Sequence, residues 1–221
     1  DMRLPGMVYG RVLRAPVSPE LASRPASWNE SAARRQAGFV AVVADPRLQH
    51  ANSLGLGLVA ETPGALDRIE QALAVRWQIE GGFTPPEVEA TLDIDRHLAA
   101  GNLRHRLRRD ALDQQATWPI DLRIDLPFAA HASIEPRAAL AHVETDAAGN
   151  DRLQVHTGTQ DLFYVRDVLA RRLDLPADQV LVQACRLGGG FGARTLVLAE
   201  LEAAVLAQAV RRPVKAMWTR A

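Results

Sequence analysis

A chain of 221 residues, 48% hydrophobic and 24% charged, is long enough to bury a substantial core as one large domain or two smaller ones. Its 26 basic and 26 acidic residues balance, which argues against nucleic acid or a strongly charged substrate as a partner. The lone cysteine, Cys185, can form no internal disulfide, and no run approaches the roughly 18 apolar residues of a transmembrane helix.

In chain order, residues 7–13 (MVYGRVL) read as a strand after a Leu4-Pro5-Gly6 turn. Residues 16–37, rich in Pro, Ser, Ala and Arg, read as a surface loop with a short helix. The continuous apolar run 38–44 (GFVAVVA), stopped by Asp45-Pro46, reads as a buried strand, and residues 56–60 as another. Thr62-Pro63 fits a helix N-cap followed by proline at the first helical position, with Leu66, Ile69 and Leu73 at helical spacing beyond it. Residues 75–79 alternate as a strand. This β-α-β order predicts a small α/β unit over residues 1–80 with its own sheet.

Gly81-Gly82 and Pro85-Pro86 mark a break, and residues 87–100 read as a helix. The basic run 104–109 (RHRLRR) reads as the solvated face of a connector spanning 81–119. From Ile120 the alternation IDLRIDL returns to a β pattern. Strands over 138–144 and 153–157 flank the turn-forming residues 146–150 (DAAGN), a hairpin signal. A helix over 161–172 presents Leu162, Val165, Val168 and Leu169, and a strand over 180–184 follows. An apolar helix over 195–210 and a strand over 214–218 close the chain. The fold class is mixed, α+β or α/β, with a second sheet-containing unit over 120–221. Cys185, on the edge of a strand, reads as a buried and inert thiol.

Residues 185–194, CRLGGGFGAR, carry the chemical signal. Consecutive glycines lose backbone entropy on folding and pack nothing in return, so such a loop exists where something approaches the backbone closely. A glycine-rich turn entering a helix directs N–H groups at an anion. The spacing Gly188-x-Gly190-x-x-Ala193 satisfies the loose dinucleotide fingerprint, but no acidic residue follows Glu202 where the ribose contact belongs. No Gly-Lys-Ser/Thr ends the loop, which excludes a P-loop. Glycines that only let a helix pack on a sheet would have no use for Phe191, whereas a binding loop can press a ring against a planar ligand.

The GGGFGAR segment resembles the glycine-phenylalanine loop of the molybdenum hydroxylases, the xanthine dehydrogenase and aldehyde oxidase family. Two further segments agree, in order: DMRLPGMVYGRVLR (1–14) is similar to the opening of the family's α/β hammerhead domain, and HASIEPRAA (131–139) to the stretch that begins its molybdopterin-binding region. Gly158-Thr159-Gln160 sits where the family carries Thr-Gln before a helix. The shortened hammerhead is most similar to the bacterial subgroup of the isoquinoline 1-oxidoreductase large subunit. The resemblance divides the chain into a hammerhead-like domain (1–80), a connector (81–119) and the first part of a molybdopterin-binding domain (120–221).

It implies a molybdopterin cofactor, in its cytosine dinucleotide form, that takes no metal ligand from the protein. Gln160 would donate its side-chain amide to the oxo ligand of the molybdenum, and Phe191 and Gly192 would line the metal centre. Gly189 and Gly190 would permit the close approach, with Arg194 as a further cofactor contact. It also implies an aldehyde or aromatic N-heterocycle as substrate, water as oxygen source and an iron–sulfur partner subunit that removes the electrons. Thr195 stands where purine-oxidising members carry a glutamate, which disfavours a purine. The family's catalytic base lies in a Gly-x-Gly-Glu context that these 221 residues lack, so no catalytic residue is assigned. The chain on its own is expected neither to hold the cofactor nor to turn over substrate. His131 and Glu135 read as structural. A nicotinamide-dinucleotide fold and a non-catalytic binding or assembly domain remain as alternatives, and the compartment, cytoplasmic or on the periplasmic side of a membrane, stays open.

Overall fold

A computed structural model describes residues 2–101, 119, 120, 122, 124, 126, 129–145 and 148–219. In chain order the first elements are β1 (Val8–Leu13), β2 (Ala22–Ser27), α1 (Glu30–Arg34), β3 (Phe39–Val43), β4 (Gln49–His50), β5 (Ser53–Leu54), β6 (Leu56–Ala60), α2 (Pro63–Leu73) and β7 (Arg76–Glu80). Then come α3 (Pro85–Leu92), α4 (Ile94–Ala100), β8 (Ala138–Thr145), β9 (Asp151–Thr157), α5 (Leu162–Leu173), β10 (Val180–Ala184), α6 (Ala199–Val210) and β11 (Val214–Met217). They fall into two compact units, Asp1–Glu80 with His131–Ala221, and Gly81–Ala130.

The first unit is built on one mixed seven-stranded sheet in the order β10-β9-β8-β11-β1-β6-β3. This corrects the expectation of separate sheets before and after the connector. The join is β1, which pairs antiparallel with β6 and parallel with β11, Val8 opposite Val214 and Gly10 opposite Ala216. A strand has two edges of backbone donors and acceptors to satisfy. Local sequence supplies β1 with only one neighbour, and the other comes from the far end of the chain.

Helix α6 holds the two halves together. It is apolar on nearly every side and buried from Ala199 to Ala207, the pattern of a helix enclosed by protein. It lies so close to the sheet that a Cβ on Gly10 would sit 2.7 Å from a Leu206 methyl, and one on Gly57 2.5 Å from the other. Around it Val8, Val59, Ala141, Val155, Leu169 and Val214 form one continuous core. The helix begins at Ala199 and not at Thr195 as its composition suggests, because Ala193–Thr195 form a separate 3-10 turn.

On the opposite face of β1 and β6, α2 buries Leu66, Ile69 and Leu73 against Leu13, Leu56 and Leu58. Its N-cap is as expected: the Thr62 side chain accepts from the Ala65 N–H at 3.1 Å, and Pro63 is the first helical residue. A smaller sheet, β4-β5-β2-β7, contains a strand that composition hid. Strand β2 runs through Pro25 and two serines, and its pairing with β7 shifts register between Pro25 and Ser27, the irregularity at which proline is tolerated.

In the second unit the helix expected over 87–100 is two helices. Asp93 ends α3 and caps α4, its side chain accepting from the N–H groups of Asp95 and Arg96. Thr84 and Glu87 form a capping box at the start of α3. Ile120, Leu122, Ile124 and Leu126 of the alternating segment are exposed and outside any strand, contrary to the expectation. The remaining residues of that run, the basic run 104–109, and Asp146 and Ala147 of the hairpin turn lie outside the described residues.

Candidate functional site

Strands β9 and β10 are parallel neighbours, with Thr157 opposite Ala184 and the Cys185 N–H on the Thr157 carbonyl at 2.9 Å. Parallel neighbours deliver their C-terminal ends to the same edge of a sheet, where sites in such folds gather. The chain leaving β9 turns through residues 158–161 into α5, capped by the Asp161 side chain on the Tyr164 N–H. The chain leaving β10 makes the glycine loop. The two turns therefore meet.

Their contact is specific. The Gln160 side-chain carbonyl accepts the Gly192 N–H at 3.0 Å. A Cβ on Gly190 would lie 2.7 Å from that same oxygen, so glycine there is what lets the amide enter the loop. With its oxygen taken by a backbone donor, the amide is left with its two N–H hydrogens to offer. From the other side, Thr159 Oγ1 donates to the Arg194 carbonyl at 3.0 Å. The structure thus joins Gln160 to Gly190, Gly192 and Arg194, which lie more than 25 positions away in sequence.

The loop has an unusual backbone. Gly189 and Gly192 have φ of +100° and +97°, where glycine is at ease, but Phe191 also sits at +52°. A non-glycine residue in the left-handed region costs on the order of 1 kcal/mol. Here the strained residue is a phenylalanine with 74% of its surface exposed, held out from the protein. An outlier of this kind supports a functional assignment better than a packing one.

A buried and a half-buried arginine hold the loop from beneath. Arg194 is 3% exposed, and one of its terminal nitrogens donates to the Glu135 carbonyl at 2.7 Å, the Pro136 carbonyl at 3.3 Å and Glu135 Oε2 at 3.3 Å. Its guanidinium is spent on the protein itself. Arg137 donates to the carbonyls of Ala193 and Leu196 and stacks over Trp218, 5.5 Å from the ring centroid. Glu135 exchanges backbone and side-chain bonds with Gly188: its N–H reaches the Gly188 carbonyl at 3.2 Å, and its Oε2 accepts the Gly188 N–H at 2.8 Å. Sequence reasoning read Glu135 as structural, but could not name its partner, which lies 53 positions further on. His131 lies beside the loop, with Nε2 3.6 Å from where a Gly192 Cβ would be. Cys185 is exposed, which corrects its expected burial.

Beneath the site the Thr157 hydroxyl donates to Glu200 Oε1 at 2.7 Å, while Glu200 Oε2 is buried with no hydrogen-bond partner. A cavity of about 630 Å³ lies elsewhere, walled by Val12, Val17, Trp77 and Trp218 with Arg14 and Glu202 at its polar end. None of residues 185–194 lines it, so it is separate from the loop. Among the described residues no group of three or more His, Cys, Asp and Glu side chains is placed to hold a metal ion. None of their helices is long and apolar enough to cross a membrane.

Residues 92–221 match the molybdopterin cofactor-binding domain family. Over its whole length the chain is 30% identical to a nicotinate dehydrogenase subunit of Pseudomonas putida, of which it spans 18%. Half of the chain is 34% identical to 15% of the aldehyde oxidoreductase molybdenum-binding subunit PaoC of Escherichia coli. The chain therefore spans well under half the length of these two relatives. Among solved structures, quinoline 2-oxidoreductase from Pseudomonas putida 86 superposes on all of it with a TM-score of 0.73 at 21% identity, the chain covering 32% of that protein. The likeness to that structure shows the fold.

Proposed function

The chain belongs to the molybdopterin cofactor-binding domain family, and from that premise we propose that its glycine loop and Gln160 form one wall of a molybdopterin site in the molybdenum subunit of a hydroxylase. The observation that carries the reading is the polarised amide of Gln160, whose oxygen is tied to the Gly192 N–H so that its N–H hydrogens are the free half. A neutral donor of this kind holds a cofactor oxygen without adding charge. Gly189, Gly190 and Gly192 let the cofactor come close to the backbone, and Phe191 gives the wall an exposed ring. Arg194, buried under the loop, acts through the loop's shape.

The residues present fit the group. The site offers a side-chain amide donor and a close-approach backbone, the contacts that would hold a cofactor whose metal is carried by its own pterin dithiolene. When bound, the molybdenum supplies two-electron oxidation of an electron-poor carbon, with water as oxygen source. The chain's own residues orient the cofactor and shield one side of it from water. We take the cofactor to be the cytosine dinucleotide form, the partner to be an iron–sulfur subunit, and the substrate to be an aldehyde or an aromatic N-heterocycle. The aldehyde- and nicotinate-oxidising names of the relatives support that choice, as does Thr195 in place of a carboxylate at the loop's exit. Residues 1–80, 81–119 and 120–221 would be the hammerhead-like, connector and cofactor-binding segments of the parent, with the first and last sharing a sheet.

The test uses the complete protein that carries this chain, produced with molybdenum-cofactor supply. Molybdenum and pterin content are measured beside dye reduction by aldehydes and N-heterocycles. Near-stoichiometric metal is expected. Gln160→Leu, which keeps the size and removes the donor, should lower kcat on the order of 100-fold, the scale of losing one preorganised donor. Gly190→Ala should lower metal content by displacing Gln160. A wild-type protein without molybdenum under these conditions would overturn the reading.

A further inference from the structure

We propose that Glu135 is a positioning residue for Gln160, acting through Gly188 and Arg194. Six contacts make the path. Glu135 Oε2 accepts the Gly188 N–H at 2.8 Å and faces the Arg194 guanidinium at 3.3 Å. The Glu135 backbone carbonyl takes a second, shorter bond from the same guanidinium at 2.7 Å. The Arg194 carbonyl in turn accepts from Thr159 Oγ1 at 3.0 Å and from the Gln160 N–H at 3.4 Å. Gly192 closes the circuit by donating to the Gln160 side chain at 3.0 Å.

The physical need for such a brace is in the loop. Three positive-φ residues among positions 189–192 keep this backbone out of helix and strand, so much of its shape is set by contacts from outside. Two points of fixation are supplied. Glu135 pins the entrance at Gly188, and Arg194 pins the exit. One carboxylate oxygen contacts both. The fit at the entrance is tight, since a Cβ on Gly188 would lie 2.5 Å from the Glu135 Cβ. Arg194 is a buried charge, and Glu135 is the carboxylate that pairs with it. Removing the side-chain acceptor leaves the guanidinium with carbonyls alone and the Gly188 N–H without its Glu135 partner. The hydrogen bonds of Glu135 go to Gly188 and Arg194 and not to the polarised amide. Its effect is on where that amide sits.

The inference rests on the proposed cofactor wall only for its last link, from Gln160 to the cofactor, and the experiment separates the two. Hydrogen–deuterium exchange is followed in the complete protein over segments 158–161 and 188–194, for wild type, Glu135→Ala, Glu135→Gln and Gly188→Ala. Molybdenum retention after gel filtration is measured on the same samples. Glu135→Ala should speed exchange in both segments about tenfold or more and release molybdenum. Glu135→Gln, whose amide oxygen still accepts from Gly188 and Arg194, should stay within about twofold of wild type in both readouts. Gly188→Ala, which keeps the carboxylate and displaces it, should match Glu135→Ala and covers the case in which the latter fails to fold.

Three results would overturn the inference: exchange in 158–161 unchanged by Glu135→Ala, molybdenum held by a loaded wild type and retained equally by Glu135→Ala, or Glu135→Gln as disruptive as Glu135→Ala. A protein that carries no molybdenum but loosens both segments in Glu135→Ala would remove the cofactor reading and support the positioning role.

Discussion

Glu202 shows how a single residue can couple the core to pH. It lies on an otherwise apolar face of α6, 2% exposed, with Arg14 on one oxygen and the Trp218 indole N–H on the other at 2.8 Å. Burial raises its pKa above the ordinary 4.5, and this outweighs the opposing pull of Arg14 and the two hydrogen bonds. An acid with a raised folded-state pKa binds its proton more tightly in the native state than in the unfolded one. Its contribution is fully present below the ordinary value and is lost as pH rises through the raised one. Glu202→Gln keeps an acceptor for Trp218 and cannot ionise. Whatever its absolute stability, the variant's urea midpoint should therefore fall less than that of wild type as pH climbs from about 4.5 toward neutrality. Parallel midpoint curves would show that Glu202 does not titrate as burial requires. At this scale the glycine loop stood out by its residue types, and Gln160 only through the resemblance to a known family. Glu135 and Glu202 did not, since each has its meaning through partners more than 10 residues away.

Among the elements, α6 decides most of the packing. Its apolar composition reveals a buried helix, but not which strands it covers. The structure answers with two glycines, Gly10 on β1 and Gly57 on β6, both under Leu206. Gly57→Ala would place a methyl 2.5 Å from the Leu206 side chain and 3.1 Å from the Val43 Cβ. Overpacking of this kind costs roughly 1–3 kcal/mol. In a domain of this size each kcal/mol lowers Tm by about 2–4 °C. Leu206→Ala alone should cost about 2–5 kcal/mol through the cavity it leaves. The double variant should be more stable than the sum of the two single losses, because each change makes room for the other. Calorimetry of the four proteins checks this, and strict additivity would mean that the two residues do not share the space.

For the whole molecule, the parallel pairing of β1 with β11 makes residues 1–80 depend on residues 131–221. A peptide of residues 1–80 would expose one edge of β1 and lose the entire α6 face of β1, β6 and β3. It is expected to be unfolded or molten, with poorly dispersed amide resonances and no cooperative thermal transition. Adding residues 131–221 as a second peptide should restore dispersion if the interface is as continuous as the shared core implies. A well-dispersed spectrum from residues 1–80 alone would argue that the first half has an independent fold, which the composition break at Gly81-Gly82 had suggested.

The sequence by itself determined what is local. Thr62 and Pro63 start α2 because an N-cap needs only its own turn, and the hairpin of β8 and β9 follows from alternation on either side of a turn. The glycine loop announced itself because backbone freedom is written in residue type. Tertiary structure alone decided the pairings with distant partners. Strand β2 forms through Pro25 because β7 is there to pair with it, and β1 joins β11 because its free edge demands a neighbour. The site shares this division: Gln160 and the loop are each local, but their union at one sheet edge comes from β9 and β10 lying parallel, side by side. Long-range pairing is selected by burial and backbone satisfaction over the whole unit, and no window of sequence contains that information.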